Sequence, residues 1–545
     1  MNNGFTLRSP SSGSTFAGNS LTFGDANTTG TLEWTSDSTV NNLILVNGTI
    51  QGYDNVSGNI TLNGTGTLKS TNNGTLRIEA PITGTGNLVF DAGHRVELHK
   101  DNTYVGDTTI KATEVRLSSN NSFGIGTVTL SGGTLKNNNN SPTVTNDIII
   151  DENGGTVTAG WNATIYLKGT ISGSGNLALS PEAGATIQLY GDNKDYTGNI
   201  TIKTGTARLS SSTPFGSGTV TLSGGTLKNN NNSPTVTNNI IIDENGGSVI
   251  SGWGKTTTLS GKITGIGSLT IKDDDGSVCL AGADSDFSGG LKIGDNTSNK
   301  IGNIGKVTVG ANNALGTGLV TFGDSNSWLD LAGYNASIRG LASGSFTGIS
   351  VKNSASTAST LTLGAGTTAV DSYTYAGEFA NNINLVKIGD GTQIFGVDLA
   401  PTTISISGGV LQTTGSLAMS GTWNENATAT SDFGEIVAES VIFDPNTKLE
   451  LYFSDDFEFA AGQSFALLTG TNGFIVTDYD DPSVFKWDSL LSDDVSWAWD
   501  VSYMTLQNGG GAVVLSVNPN LVPEPATWAM LLVGVSVLVL GRRKQ

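Results

Sequence analysis

One stretch of this sequence occurs twice, and the duplication limits the possible folds more than any other feature. Residues 127–155 read TVTLSGGTLKNNNNSPTVTNDIIIDENGG, and residues 219–247 repeat them with one change, Asp147 to Asn239. The two copies are offset by 219 − 127 = 92 positions. Such a duplication is typical of folds that grow by stacking similar units, because each unit packs mainly on its neighbours. We therefore expect a solenoid or a related array.

The similarity extends beyond the copied stretch, since the same offset aligns Tyr104 with Tyr196 and Trp161 with Trp253. A weaker third copy follows the second, beginning with DFSGGLKIG. The predicted organisation has four parts: N-terminal solenoid coils at 1–100, β-helix repeats at 101–415 (units at 101–192 and 193–284, weaker from 285), a cap module at 416–520 and a tail at 521–545.

The local pattern is that of short strands. Runs such as TLEWTS and NITLNGTGTLKS alternate apolar and polar residues until Gly or Asn interrupts them, which is typical of strands with one buried face and tight corners. We predict an all-β, right-handed parallel β-helix with three or four turns of about 23–30 residues in each unit. Antiparallel sandwiches are the alternative, because Asn-Gly or Asp-Gly pairs at Asn47, Asn63 and Asp390 suit hairpins.

The asparagine runs at 137–140 and 229–232 are predicted to form corners. Asparagine tolerates the left-handed backbone conformation, and its side-chain amide can bond to the equivalent group on the next coil. The alternative interpretation is an aggregation-prone polar tract.

The charge balance argues against a nucleic-acid partner. The formal net charge is 27 − 47 = −20, and no run of Lys or Arg precedes the last residues of the chain. Cys279 is the single cysteine, so the sequence has no intrachain disulfide. Its surroundings, SVCLAG, predict a strand in which the thiol is a small buried hydrophobic group.

The composition changes between residues 401 and 520, where 16 Asp and Glu stand against two basic residues, Lys448 and Lys486, and where four of the nine tryptophans lie. The open end of a solenoid is an exposed sheet edge that needs cover. We therefore predict that this acidic, Trp-rich β module caps the solenoid, and a carbohydrate site is the alternative.

Catalytic and metal-binding patterns are weak throughout. His94 and His99 are separated by an odd number of positions, which places them on opposite faces of a strand and argues against a metal pair. The triple Asp at 273–275 predicts a solvated turn in preference to a calcium loop. The Gly-Lys-Thr at 254–256 lacks the first glycine of a phosphate loop and also predicts a turn. We expect no catalytic residue, no metal site and no cofactor.

The tail at 521–545 differs from the rest of the chain. An apolar run at 526–541 would make a helix of roughly 24 Å, a marginal membrane span. The basic end should stay in the cytoplasm, so the preceding chain is expected to be exported. The residues of interest are Val522, Pro523, Glu524 and Pro525 before the apolar run, and Arg542, Arg543 and Lys544 after it.

The opening segment, MNNGFTLRSPSSGSTFAGNS, lacks the apolar stretch of a signal peptide, and we expect that the true start lies upstream of Met1 or that the protein stays inside.

This tail resembles the PEP-CTERM sorting signal of Gram-negative bacteria, which combines a Pro-Glu-Pro motif, a hydrophobic helix and a basic end. The resemblance implies processing by exosortase, a multi-pass membrane enzyme expected to cut near Pro-Glu-Pro. It also implies a transient anchor in the inner membrane, then a place on the cell surface or in the extracellular matrix, with exopolysaccharide as a candidate partner.

The repeats resemble the autotransporter-associated β-strand repeat over residues 80–415. The resemblance is carried by Tyr104, Val105 and Gly106 followed by FGIGTVTLSGGTL at 123–135, and by their copies at 196–198 and 215–227. It implies a β-helix.

Our hypothesis is a non-catalytic exported β-solenoid that is a structural or adhesive element of the cell surface or polysaccharide matrix. The alternative is a carbohydrate-active β-helix enzyme, a polysaccharide lyase or hydrolase. A groove in which three or more Asp, Glu, Arg or Lys cluster would favour the enzyme.

Overall fold

The computed structural model describes residues 5–8, 14–16, 20–91, 93–160, 162–274, 276–295, 304–419, 422–427, 433–444, 447–453, 463–476, 482, 485–491 and 499–517. These residues form an all-β solenoid of about 19 turns with almost no helix, as the sequence predicts. The chain divides into two compact units, Met1–Gly318 and Leu319–Gln545, which are described separately.

The strands of the first unit are mostly short. They are β1 Phe5–Arg8, β2 Ser14–Phe16, β3 Leu21–Phe23, β4 Gly30–Trp34, β5 Ser38–Gly52, β6 Asn55–Ser70, β7 Thr75–Ile78, β8 Ile82–Gly84, β9 Leu88–Phe90, β10 Arg95–Leu98, β11 Thr108–Lys111, β12 Glu114–Leu117, β13 Val128–Ser131, β14 Thr134–Asn137, β15 Thr143–Val144, β16 Ile148–Ile150, β17 Gly155–Thr158, β18 Thr164–Leu167, β19 Ile171–Gly173, β20 Leu177–Leu179, β21 Thr186–Leu189, β22 Ile200–Ile202, β23 Thr206–Leu209, β24 Val220–Leu222, β25 Thr226–Asn229, β26 Thr235–Val236, β27 Ile240–Ile242, β28 Gly247–Gly252, β29 Thr256–Leu259, β30 Ile263–Gly265, β31 Leu269–Asp274, β32 Ser277–Leu280, β33 Leu291–Ile293 and β34 Lys306–Val309.

Each turn of this unit has three positions around the axis, of which two or three carry a strand, and each position belongs to its own stack of parallel strands. After β14 the chain passes through β15 and β16 and returns as β17, which lies in register on β14 with Thr134 opposite Thr156. Arg95 lies opposite Glu114 in the same kind of pairing, between β10 and β12. These two turns span 156 − 134 = 22 and 114 − 95 = 19 residues, which is shorter than the 23–30 residues that the sequence predicts. They are short because short strands alternate with equally short corners.

The two copies of the duplicated sequence do not occupy the same stack. Val128 lies in register with Ile148, which lies in register with Ile171, through β13, β16 and β19. Val220, the counterpart of Val128 in the second copy, lies on Ile200 in a stack that runs from β14 through β17, β20 and β22 to β24. One period therefore makes four turns plus one strand. Each copy is rotated about the solenoid axis by one stack, about a third of a turn.

The core consists of inward-facing aliphatic side chains aligned from turn to turn. Leu167, Leu189 and Leu209 are in register on β18, β21 and β23, and all three are buried. Burial of each such side chain stabilises the fold by about 1.5–3 kcal/mol. Each leucine packs between the side chains of adjacent turns. The alternation of apolar and polar residues in the sequence is therefore enough to identify the side chains that face the core.

Corner tyrosines explain the Tyr-x-Gly motif. Tyr196 is fully buried, and its hydroxyl donates to the carbonyl oxygen of Gly175 at 2.7 Å. Two residues later, Gly198 lies so close to the preceding turn that a Cβ would be 2.0 Å from the Gly175 oxygen. The motif therefore pairs a large side chain that fills the corner with a glycine that permits close stacking. Tyr104 and Gly106 occupy the corresponding positions of the first copy.

The asparagine runs form corners, but through side chain–backbone bonds. Asn139 and Asn231 have positive φ angles of 58° and 54°, as the sequence predicts. The predicted amide–amide contacts between coils are wrong at the first asparagine of each run. Asn137 instead accepts a hydrogen bond from the backbone N–H of Gly160 on the next turn at 2.9 Å and donates to the carbonyl of Asn140 at 2.7 Å. A buried amide here satisfies backbone groups that the corner would otherwise leave unpaired.

Cys279 lies on β32, so the predicted strand is confirmed, but its side chain faces outward and is only half-buried. Burial raises the pKa of its thiol. The predicted burial of the thiol is only partial, because Val278 and Leu280, not Cys279, occupy the inward positions of the strand.

The second unit contains further short strands and a short 3-10 helix at Trp487–Leu490. Its strands are β35 Leu319–Phe322, β36 Trp328–Asp330, β37 Ala336–Ile338, β38 Gly340–Ser343, β39 Ser350–Lys352, β40 Ser359–Leu363, β41 Ser372–Tyr375, β42 Glu378–Phe379, β43 Ile383–Ile388, β44 Thr392–Phe395, β45 Thr403–Ser407, β46 Val410–Thr413, β47 Ser416–Met419, β48 Thr422–Ala427, β49 Glu435–Ala438, β50 Ser440–Phe443, β51 Lys448–Phe453, β52 Ser464–Gly470, β53 Phe474–Val476, β54 Trp499–Thr505 and β55 Gly511–Val517.

Parallel stacking dominates this unit and continues past residue 416, where β47 pairs with β50. Its longest stacks are β37-β40-β43-β45-β48-β51 and β41-β44-β46-β49-β52. The pattern then changes, because β52 pairs antiparallel with β55, and β55 pairs antiparallel with β54. The alternative fold of repeated antiparallel sandwiches is wrong for the described repeats, whose strand pairings are parallel.

Candidate functional site

The predicted sorting residues lie outside the part of the chain that the structure describes. These are Val522, Pro523, Glu524, Pro525, Arg542, Arg543 and Lys544, together with the apolar run at 526–541. Within the described ranges, no helix is both long and apolar enough to cross a bilayer.

A group of charged residues lies on three successive turns of the first unit, on β7, β10 and β12. The parallel register aligns Arg77, Glu97 and Arg116 in one outward row and Arg95 with Glu114 in another. Nε of Arg95 lies 2.8 Å and Nε of Arg116 lies 2.7 Å from Oε1 of Glu114, and Nε of Arg77 lies 3.2 Å from Oε2 of Glu97. Opposite charges therefore alternate both along and across the strands. We call this group the ionic ladder.

His99 extends the ionic ladder at the end of β10. Its Nδ1 lies 3.2 Å from Oε1 of Glu79, and its Nε2 lies 3.3 Å from Oε2 of Glu97. The hydrogen bond with Glu97 raises the pKa of His99, the charge of Glu79 acts in the same direction, and partial burial opposes both. The same hydrogen bond lowers the pKa of Glu97. The two carboxylates thus shift His99 toward its imidazolium form.

The ionic ladder is built for mutual neutralisation. Burial disfavours the charged form of Glu114, yet Arg116 and Arg95 lower its pKa below the ordinary value. In the described parts of the chain, no group of three or more His, Cys, Asp or Glu has the arrangement of a metal site. His94 and His99 are not a pair of ligands, since His99 is engaged by Glu79 and Glu97.

A groove of about 480 Å³ interrupts the second unit. It opens where β42 ends one stack, next to the segment that leads to the bridge between Leu399 and Leu417. Its charged lining residues are Lys352, Glu378 and Asp398. Two of these three charges have partners, because Nζ of Lys352 lies 3.8 Å from the ring centroid of Trp328 and Asp398 accepts from the N–H of Ser416 at 2.7 Å. The remaining lining residues are Ser350, Val351, Phe379, Ala380 and Val397.

Lys387 is a buried cation in the core of the second unit. It is 1% exposed, and its Nζ donates to the carbonyl oxygens of Ile388 at 2.9 Å, Gly389 at 2.7 Å and Gly408 at 3.1 Å. Burial lowers its pKa to about 8. Three carbonyl partners make Lys387 a structural link between turns.

Glu425 is a buried acid in the same unit. Its inward position on β48 is in register with Ile406, which is in register with Lys387. Burial raises its pKa well above the ordinary value, although the Nε1–H of Trp423 donates to it at 2.9 Å. The sequence analysis did not single out either buried charge. Both could have been found as charged residues on the apolar side of an alternating run, in INLVKI and TWNENA.

The Gly-Lys-Thr segment is a corner between β28 and β29, as predicted, with Gly254 at a φ angle of 64°. Asp273 and Asp274 are the last two residues of β31, so the predicted turn is wrong at these two positions, where the backbone pairs with β28. Asp275 and the side chains of Asp273 and Asp274 lie outside the described set.

Two comparisons place the chain among known proteins. Residues 521–545 match the family model of the PEP-CTERM protein-sorting motif. A second match is to a protein described as "Adhesin BmaC autotransporter" of Brucella suis biovar 1 (strain 1330), with 29% identity over 167 residues. That match covers 30% of this chain and 5% of the adhesin, so the chain spans only a small part of the relative's length. The chain thus carries a PEP-CTERM sorting motif, and its solenoid fits autotransporter-associated repeats.

Proposed function

We propose that this protein is a non-catalytic, right-handed β-solenoid that is exported and then forms a structural or adhesive element of the cell surface or polysaccharide matrix. The observation that carries the proposal is the combination of a sorting motif at 521–545 with a long stacked solenoid. The similarity to an autotransporter adhesin supports the same role. Stacking short turns provides length at little cost in sequence complexity, which suits an extended surface element.

The tail has a specific role in this proposal. An exosortase-type enzyme recognises Pro523, Glu524 and Pro525 while the apolar run at 526–541 holds the chain in the inner membrane. Arg542, Arg543 and Lys544 keep the end of the chain on the cytoplasmic side. The prolines favour an extended backbone, which a processing enzyme needs in its substrate.

The acidic module at 416–520 acts as the cap. Its last strands continue the sheet beyond the parallel stack, because β55 pairs antiparallel with β52 and β54 pairs antiparallel with β55. A reversal of direction ends the regular register, so the module lowers the tendency of solenoid ends to pair with other chains.

Export is tested by replacing Pro523, Glu524 and Pro525 with Ala. The variant should fold normally but remain in the membrane fraction of a host that contains an exosortase-type enzyme, whereas the wild type reaches the surface. The matched control replaces three neighbours, Asn518, Pro519 and Asn520, with Ala and should be sorted normally. Surface delivery of the motif variant at the wild-type level would refute the proposal.

The groove at Lys352, Glu378 and Asp398 favours a second candidate function, a polysaccharide lyase or hydrolase, because an acid and a base must lie together at such a site. The test is degradation of a panel of acidic and neutral polysaccharides by the wild type and by the double variant Glu378→Gln and Asp398→Asn. Cleavage that the double variant abolishes would establish the enzyme and overturn the non-catalytic role.

A further inference from the structure

One stack of the first unit carries a row of cationic and aromatic side chains. The strands β18, β21, β23, β25, β28 and β31 are successive parallel neighbours in one sheet. Their register aligns Tyr166, Gln188, Arg208 and Lys228 at one position, followed by Ile250 and Lys272, and of these Gln188 is buried. The basic–aromatic stripe, as we call it, consists of Lys168, Tyr190, Arg208, Lys228, Trp253 and Lys272.

The sign of the charge on this stripe is opposite to that of the whole chain. The net charge of the protein is −20. Along these six strands, the described outward side chains from Thr164 to Lys272 include no carboxylate. Acidic residues begin at the end of the sixth strand, which finishes with Asp273 and Asp274, and beyond it Asp295 lies 2.6 Å from Nζ of Lys272 and 3.3 Å from Nζ of Lys292. Before that end, the stripe is a cationic surface on an acidic protein and a local site for an anion.

Aromatic rings lie next to the cations. Nζ of Lys168 lies 5.9 Å from the ring centroid of Tyr190, and Nζ of Lys228 lies 5.5 Å from that of Trp253. Tyr190 is 38% exposed and Trp253 is 46% exposed. A half-exposed ring beside a cation offers an apolar surface for the C–H face of a sugar and a charge for its acidic substituent.

Two features of the stripe are unfavourable for the fold alone. Trp253 has a φ of 57°, a left-handed conformation that bulky residues rarely adopt. Nε of Arg208 is shielded from solvent and forms no hydrogen bond. Strained residues and unsatisfied polar groups are concentrated at functional sites in proteins.

The spacing suits a linear ligand. Adjacent strands lie about 4.8 Å apart, so the six strands span roughly 24 Å along the axis. A polymer lying along the axis would meet a cation or an aromatic ring at nearly every turn. A small anion would use one turn and leave the rest of the stripe empty.

We infer that the basic–aromatic stripe binds an extended acidic polysaccharide, whose sugars carry carboxylate or sulfate groups, along the solenoid axis. Lys168, Arg208 and Lys228 bind the acidic groups, and Tyr190 and Trp253 stack on sugar rings. This inference rests on the proposed matrix function and names the class of its ligand. A single acidic polysaccharide chain fits better than double-stranded DNA, because DNA carries one charge per about 1.7 Å of its axis, whereas the strands that carry the cations are about 4.8 Å apart.

The duplicated sequence supplies a matched control within the same chain. Arg116 and Lys136 precede Arg208 and Lys228 by one full period. Because the copies are rotated by one stack, the earlier pair lies outside the stripe.

The test measures binding of the purified full chain to immobilised alginate, a polymer of acidic sugars, and to neutral dextran. The double variant Arg208→Gln and Lys228→Gln should bind alginate about tenfold more weakly, since it lacks two charge-assisted contacts. The control variant Arg116→Gln and Lys136→Gln should stay within about twofold of the wild type. Trp253→Gly should fold well, because glycine accepts the left-handed conformation, and should also bind more weakly.

Binding to alginate should weaken as salt is raised, because partly exposed charges are screened. Equal binding of alginate and dextran, equal losses in the two double variants, or tighter binding of double-stranded DNA than of alginate would each overturn the inference. These measurements use purified protein and are independent of sorting. A protein that reaches the matrix but binds alginate equally well without Arg208 and Lys228 would refute the stripe and leave the proposed function standing.

Discussion

Arg116 and Arg208 occupy the same place in two copies of one sequence, yet they lie in different stacks of the solenoid. Arg116 is in register with Glu97, within the ionic ladder, whereas Arg208 is in register with Gln188. The cause is the length of the repeat, which covers four turns and one strand. Equivalent residues of the two copies therefore have different environments in the same molecule.

Deletion of residues 127–218, one whole period, should give a shorter but folded protein. The junction joins residue 126 to residue 219, which begins the same sequence as residue 127, so the second copy takes the places of the first. Circular dichroism should show unchanged β content, and the hydrodynamic radius should fall. Removing half a turn, residues 127–137, is the control and should cause aggregation, because it puts the following strands out of register. Aggregation of the full-period variant as well would count against stacking by nearest neighbours.

Asn229→Ala should lower the free energy of unfolding by about 2 kcal/mol, because it leaves buried backbone groups without partners. Asn229 is fully buried, accepts from the N–H of Gly252 at 2.9 Å and donates to the carbonyl of Asn232 at 2.8 Å. The adjacent Asn230 is half-buried, and its side-chain amide donates to the hydroxyl of Ser210 instead of to a backbone group. Asn230→Ala should therefore lower the free energy of unfolding by less than about 1 kcal/mol. Urea denaturation measures both, and equal losses would contradict the proposed corner role.

The stabilisation by His99 should depend on pH. Its folded pKa is raised above 6.5, so its contribution is fully present below pH 6.5 and is lost as the pH rises through the folded pKa. His99→Gln should therefore cost more at pH 6 than at pH 8, by about 1 kcal/mol at most for a partly exposed ion pair. Denaturant midpoints of the two proteins at both pH values measure this. A penalty that is the same at pH 6 and pH 8 would show that His99 does not act through its charge.

Glu425→Gln should stabilise the second unit at neutral pH. Burial raises the pKa of Glu425, so the carboxyl lowers stability as the pH rises above its ordinary value of 4.5. Glutamine keeps an oxygen for Trp423 Nε1–H, and each unit of raised pKa costs about 1.4 kcal/mol at neutral pH. Thermal unfolding should show a gain at pH 7 that shrinks at pH 5. For comparison, Glu450→Gln, whose carboxylate accepts from the exposed Tyr452 hydroxyl, should change stability little.

The local features of the fold follow from sequence alone. Alternation of apolar and polar residues defines the inside of strands such as β18, because period two is a property of a single strand. The left-handed corner at Asn139 and the close approach at Gly198 follow from residue type, since few other residues accept those conformations. The duplication indicates stacking for the same reason, because similar units make similar contacts.

Which stack each copy joins was decided only by the tertiary structure. All three stacks require the same sequence pattern, with apolar residues pointing inward and small or polar residues at the corners. A short segment therefore does not specify which stack it joins. The position of Arg208 depends on all the strands and corners between Arg116 and Arg208. Adding or removing one strand within that period would move the side chain to another face of the solenoid. The burial of Lys387 depends on carbonyl groups of another turn, which sequence alone does not bring together. The sequence by itself therefore determines that the chain stacks and what each strand buries, and the structure determines which side chains share a surface.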